Sequence, residues 1–207
     1  MELYNSEEEQ VEAIKEWLRK YGKLLIVVAV VVIAGFTGWH FYQKSDNASK
    51  ENASVGYTTA IKALETQGVK AESSVQSFID ANKSSEYSVL AALQLAKVQA
   101  EAGNLDEALA QLEWAKGDTK DEALKAIASY RLARIQEEQG HYESALTELA
   151  SIKSTAWTGR VSELKGDIAM RQGKPDDAYK AYVEAQQAGD TSQALKMKLD
   201  DLAKQGH

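Results

Sequence analysis

The sequence predicts an all-α protein, with a single N-terminal transmembrane helix followed by a solenoid of stacked helical hairpins. Three observations predict it. The 207 residues hold one proline and 31 alanines, and no segment alternates with the period of a strand. Residues 24–43 form an uncharged run of 20, with His40 taken as neutral. Beyond that run one spacing, Gly-x-x-x-x-Ala, recurs three times.

Composition excludes several function classes. The chain has no cysteine, which removes disulfides, thiol catalysis and cysteine-based zinc sites. Its 24 Lys+Arg stand against 31 Asp+Glu, a net charge of -7, which argues against a nucleic-acid partner because such a partner needs a basic face.

Residues 1–23 read as a cytoplasmic amphipathic helix. Ser6-Glu7-Glu8-Glu9 is a capping box with carboxylates at the positive end of the helix, and Val11, Ile14, Leu18 and Tyr21 recur at helical spacing. Two readings of that apolar stripe stay open: it lies at the headgroup boundary, or it docks on a partner. Residues 24–43 then read as the transmembrane helix. At about 1.5 Å per residue the run spans the ~30 Å hydrocarbon core. Trp17 and Tyr21 before it, and Trp39, Phe41 and Tyr42 after it, form the aromatic belts. A cleaved signal peptide fits poorly, because 23 residues including six Glu precede the run. Lys15, Arg19, Lys20 and Lys23 precede it, and only Lys44 and Lys50 follow closely. The positive-inside rule therefore places the N-terminus in the cytoplasm and the rest of the chain outside, which in a bacterium is the periplasm.

Residues 44–56 are polar and read as a juxtamembrane linker, leaving 57–207 as the folded domain. In that domain Gly103 to Ala108, Gly140 to Ala145 and Gly173 to Ala178 share the repeat spacing. Four residues after each alanine comes a large side chain, Leu112, Leu149 or Tyr182. Twelve before it comes a small one, Ala96, Ala133 or Gly166. A glycine in the left-handed conformation closes one helix, the next begins at once, and the small residue lets the two axes approach. The predicted pairs are 53–67 with 71–82, 86–102 with 104–116, 121–139 with 142–152, and 156–172 with 175–187. A last helix, 191–204, caps the stack with Lys196, Lys198, Asp200 and Asp201 outward. This pattern resembles the tetratricopeptide repeat. It departs from it where Ala92, Ser129 and Ser162 stand for larger residues and Gln99, Gln136 and Ala169 stand for a tyrosine.

Stacked repeats leave a concave face lined by first helices. The register assigns to it Leu90, Leu93 and Lys97, then Ile127, Tyr130 and Arg134, then Arg160, Glu163, Asp167 and Met170. This mixed surface suits an extended or unfolded polypeptide. Packing between neighbouring repeats is the competing role for Leu93 and Tyr130. No catalytic, cofactor or metal site is expected: His40, His141 and His207 share no ligand spacing, and no serine or acid pair sits in a catalytic pattern.

Taken whole, the chain resembles the ancillary SecYEG translocon subunit family (YfgM-type). The likeness rests on the acidic start Glu9-Gln10-Val11-Glu12-Ala13-Ile14-Lys15-Glu16-Trp17, on Tyr21-Gly22-Lys23, on Gly35-Phe36-Thr37-Gly38-Trp39 and on the repeat domain. The resemblance implies a single-pass, type II protein of the bacterial inner membrane. It further implies partners in the SecYEG translocon and in a membrane-anchored periplasmic chaperone of the prolyl-isomerase type, with newly exported, unfolded proteins as clients. An envelope scaffold that organises a cell-wall or division complex is the alternative function, because a repeat array on an anchor serves either.

Overall fold

The structure, a computed structural model, describes residues 7–204, with the side chains of 7–9, 25, 42 and 45–50 outside that description. The cap expected from Ser6 and the terminal His207 also lie outside the described residues. The chain divides into two compact units between Asn52 and Ala53.

Helix α1, Glu7–Gln67, carries the apolar run and continues through the polar stretch that follows it. Leu24, Ile26, Val30, Phe36 and Phe41 are all at least 60% exposed, so among the described residues no protein surface covers these side chains. By length and composition no single helix among the described residues suffices to cross a membrane. Gln10–Leu24 and Ile26–Phe41, bent by 45°, pass together as a candidate span.

The second unit is a helical solenoid, with no strand among its described residues. The end of α1 leads through a 3₁₀ turn, Gly68–Ala71, into α2 (Glu72–Ala81). There follow α3 (Glu86–Glu101) with α4 (Leu105–Asp118), α5 (Glu122–Glu138) with α6 (Tyr142–Ser151), and α7 (Thr158–Arg171) with α8 (Pro175–Gln187). A 3₁₀ turn, Thr155–Trp157, precedes α7, and α9 (Gln193–Lys204) ends the described chain.

The predicted turns form for the predicted reason. Gly103, Gly140 and Gly173 have φ of 83, 78 and 72°. The amide after each returns to a carbonyl five residues back: Asn104 to Gln99 at 2.9 Å, His141 to Gln136 at 2.8 Å, Lys174 to Ala169 at 2.9 Å. This closure satisfies carbonyls that a helix end would otherwise orphan. Asp190 to Ala185, 3.1 Å, closes α8 the same way behind Gly189. The carboxylate of Asp121 caps α5, accepting from the amides of Ala123 and Leu124 at 2.7 and 3.2 Å. Thr119 instead donates its hydroxyl to Glu86 at 2.8 Å, which ties α5's entry to the start of α3.

Within each hairpin the small residue meets the large one. Ala96, Ala133, Leu112 and Leu149 are essentially solvent-free, and Tyr182 is 2% exposed. In the third hairpin the larger Tyr182 requires a glycine opposite, since a Cβ on Gly166 would collide with its ring. The core continues along the stack. Ala60, Leu64, Val75, Ile79 and Leu95 through Leu132 form its first part. Leu149, Leu164 and Ile168 form the second. Tyr182, Leu195 and Leu202 form the third, so α9 seals the open end of the last hairpin.

Gly166→Ala should therefore cost about 1–2 kcal/mol, the overpacking penalty less alanine's gain in helix propensity. Gly166→Ala combined with Tyr182→Leu rebuilds the pair used in the other two hairpins. It should lose less than the two single changes added, by about 1 kcal/mol. Chemical unfolding followed by circular dichroism reads both quantities.

Candidate partner-binding groove

The first helices α3, α5 and α7, with α9 beside them, line two adjoining cavities of about 1060 and 890 Å³. The larger takes Lys97 from α3, Tyr130 and Arg134 from α5, and Glu163, Asp167 and Met170 from α7. The smaller takes Ile127 and Arg160, and shares Tyr130, Arg134 and Glu163 with the first. Eight of the ten residues assigned to the face by register are thus brought together.

Leu90 and Leu93 are not among them. Leu93 is 4% exposed and belongs to the core with Ala128 and Leu132. The cause is its neighbour helix: Nη1 of Arg131 donates to the Leu93 carbonyl at 2.8 Å, which draws α5 over this part of α3. Leu90 is half-buried and lines neither cavity. The apolar end expected at α3 is therefore absent, and Lys97 marks that end of the groove.

Charge changes sign along the face. On α5 stand Arg131 and Arg134; on α7 stand Glu163 and Asp167, with Arg160 one turn earlier. Lys97 pairs with Glu101 at 3.7 Å within its own helix. Arg171 bridges back to Glu137 at 2.5 Å and Glu138 at 2.8 Å. Burial pushes the Glu137 carboxyl above the ordinary range, with Arg171 opposing that shift.

Lys198 on α9 is the main correction to the register. It does not face outward but reaches into the groove, 2.8 Å from Glu163 and 2.7 Å from Asp167. Its ammonium also lies 5.4 Å from the centre of the Tyr182 ring. The Tyr182 hydroxyl donates to Asp167 at 2.7 Å, so Asp167 joins the hairpin core to the terminal helix. Burial works against the Lys198 charge, and hydrogen bonds to Asp167 and Glu163 outweigh it, raising its pKa. Burial, followed by the hydrogen bond to Asp167, also raises the Tyr182 phenol well above its usual value.

Further groove residues escape a reading by register alone. Arg131, Glu137, Glu138 and Arg171 line the larger cavity and Trp157 the smaller. Trp157 comes from the 3₁₀ turn before α7 and packs against Tyr130 in a tilted arrangement, centroids 5.3 Å apart and planes inclined at 48°. Arg160 in turn lies 5.2 Å from the Trp157 ring centre. One signal for the ion pairs was present in sequence. Opposite charges about one repeat apart, such as Glu138 with Arg171 and Glu163 with Lys198, mark equivalent helices in neighbouring repeats.

Among the described residues no three His, Asp or Glu side chains come close enough to hold a metal ion. The arrangement offers charged side chains, an aromatic pair and an open trough, which is the equipment of a polypeptide-binding surface.

Comparison with known proteins agrees with this architecture. Residues 15–204 match the family model described as a tetratricopeptide repeat-like domain. The solved structure of Pseudomonas aeruginosa pilF superposes with a TM-score of 0.62 at 18% identity, covering 77% of this chain and 71% of that one. MamA superposes at 0.55 and 19%, covering 71% and 84%. At such identities the likeness shows the fold alone. The helical-repeat class is therefore secure, and full-length relatives narrow it. The ancillary SecYEG translocon subunit of Escherichia coli is 31% identical over 206 residues, 98% of this chain and 100% of the relative. That of Haemophilus influenzae is 31% identical over 202 residues, covering 96% and 99%. The chain belongs to the ancillary SecYEG translocon subunit family.

The Tyr182–Asp167–Lys198 cluster sets an alkaline limit. A phenol whose folded pKa is raised contributes stability that is complete below the unfolded value, near 10, and is lost as pH rises toward the folded one. Lys198, also raised, acts in the same sense. Tyr182→Phe should lower stability by about 1 kcal/mol near neutrality, for its lost hydrogen bond. The gap to wild type should narrow between about pH 9 and 11, because the variant has no phenol to release. Urea midpoints across that range check it.

Proposed function

We propose that the chain is a non-catalytic, membrane-anchored accessory subunit of the SecYEG translocon. Its apolar helix spans the bacterial inner membrane once, N-terminus in the cytoplasm, and its repeat domain stands in the periplasm. There the groove binds a membrane-anchored chaperone of the prolyl-isomerase type and assists newly exported proteins. The observation that carries this reading is the full-length similarity to proteins named ancillary SecYEG translocon subunits, 31% over 98% of the chain.

Physical arguments support the finer parts. The run from Leu24 to Phe41 exposes large apolar side chains on every side, which is tolerable in lipid and costly in water. Four Lys and Arg just before that run against two just after it favour a cytoplasmic N-terminus. The groove is wide, open and charged, which suits a protein partner better than a small molecule.

Photocrosslinking in intact membranes, with probes at Tyr130 and Arg134, tests the reading. Adducts to channel subunits, to a periplasmic chaperone or to exported chains are the expected result. Adducts confined to cell-wall or division proteins would transfer the function to an envelope scaffold. Arg134→Glu should reduce the expected adducts at Tyr130 while leaving the circular dichroism spectrum unchanged, since Arg134 is exposed and makes no ion pair among the described residues.

A further inference from the structure

The smaller cavity differs in chemistry from the rest of the groove. On a chain of net charge -7, three guanidinium groups, Arg131, Arg134 and Arg160, converge on it around the Tyr130–Trp157 pair. Their state of pairing distinguishes them. Glu163, on the same wall, is occupied by Lys198 at 2.8 Å. Asp190, on the loop that closes the cleft, accepts the Ser192 amide at 2.9 Å, and that bond lowers its pKa. Arg131 spends one donor on the Leu93 carbonyl. The side chains of Arg134 and Arg160 make no hydrogen bond or ion pair among the described residues; Arg160 has only its approach to the Trp157 ring, 5.2 Å from its centre.

The arginines also oppose one another. Arg131 is disfavoured in its charged form first by burial and then by the nearby charge of Arg134. Like charges held together on a rigid helix are relieved by an anion placed between them. A guanidinium fork matches a carboxylate in two parallel hydrogen bonds, which makes arginine the suitable reader of acidic side chains. The tilted aromatic pair beside them supplies a half-buried apolar surface for one large side chain. Because both cavities share Tyr130, Arg131, Arg134 and Glu163, the trough is continuous from α3 to the loop before α9, longer than a compact ligand requires.

We infer that the cleft between α5, α7 and the Gly189–Ser192 loop binds an extended acidic polypeptide segment, its carboxylates on Arg134 and Arg160 and an aromatic or large apolar side chain against Tyr130 and Trp157. This deepens the proposed function, on whose groove it rests, by giving the chemistry of the bound segment. Arg131 orients the site through its bond to Leu93 and keeps donors free for the same ligand.

The test uses the purified full chain in detergent micelles and fluorescent ten-residue peptides. One peptide is built of Glu and Ala with a central Phe; its counterpart replaces every Glu by Gln. Fluorescence anisotropy should show the acidic peptide binding about tenfold or more tightly than the neutral one, the difference that one or two charge-assisted hydrogen bonds produce. Raising salt should weaken it. Arg134→Gln with Arg160→Gln should remove that preference, while Lys62→Gln, exposed on α1, should not. Unchanged circular dichroism keeps a folding defect from imitating the result. Equal binding of the two peptides, or a preference untouched by the arginine changes, would overturn the inference. So would binding of phosphatidylglycerol vesicles through these arginines without binding of the acidic peptide. Photocrosslinks from Tyr130 to a periplasmic chaperone, found together with any of those results, would leave the functional reading standing and overturn this one alone.

Discussion

Everything in the repeat domain depends on how closely the two helices of a hairpin can approach. Ala96 opposite Leu112, Ala133 opposite Leu149 and Gly166 opposite Tyr182 are three versions of one contact, each between partners sixteen positions apart. Where the large partner grows from leucine to tyrosine, the small one shrinks from alanine to glycine. Interiors packed to crystal-like density leave no other solution short of moving a helix. That contact fixes the rotation of each helix about its axis. It therefore decides which side chains enter the core and which remain for the groove.

The groove inherits its polarity from this arrangement. Most apolar residues of the first helices are consumed by the contacts inside and between hairpins, so charged and aromatic side chains dominate the remaining face, with Ile127 and Met170 the apolar groove residues expected by register that stay on it. Beyond the Lys97–Glu101 pair within α3, its ion pairs run between equivalent helices of successive repeats: Arg171 to Glu138, and Lys198 to Glu163. The second of these shows what α9 is. Among the described residues it occupies the place of the next first helix, where Leu195 and Leu202 close the core and Lys198 neutralises the carboxylates of α7. Terminal repeats of solenoids need such a cap, because an open end would leave apolar surface in water.

Much of this was legible in the sequence because it is local. A turn glycine, a small residue and a large one at fixed offsets specify a hairpin without reference to anything distant, and the helices fall close to where the spacing puts them. Pro175 at the start of α8 shows the same locality, as its missing amide is one the first turn leaves unpaired anyway. The misplaced residues all depend on neighbours. Leu93 has the register of a groove residue and is buried because the next first helix packs over it, setting its side chain in one core with Ala128 and Leu132 while Arg131 reaches its carbonyl. Lys198 reads as solvated until α9 docks. Trp157 lies just outside a regular helix, in a turn whose direction the repeat pattern does not encode. Ala92, Ser129 and Ser162, small where the repeat resemblance suggests bulk, are all buried, so there the close-packing rule outweighs the family pattern.

The central claim is that a family member tied to secretion uses the charged face of its first helices to hold its periplasmic partner, separately from whatever the apolar helix contacts. The direct measurement is quantitative co-isolation from membranes of the full chain, wild type against the Arg134→Glu, Arg160→Glu double variant, with channel subunits and the proposed chaperone counted in each eluate. The account predicts that the chaperone is lost and the channel retained. Retention of both at wild-type levels would contradict it.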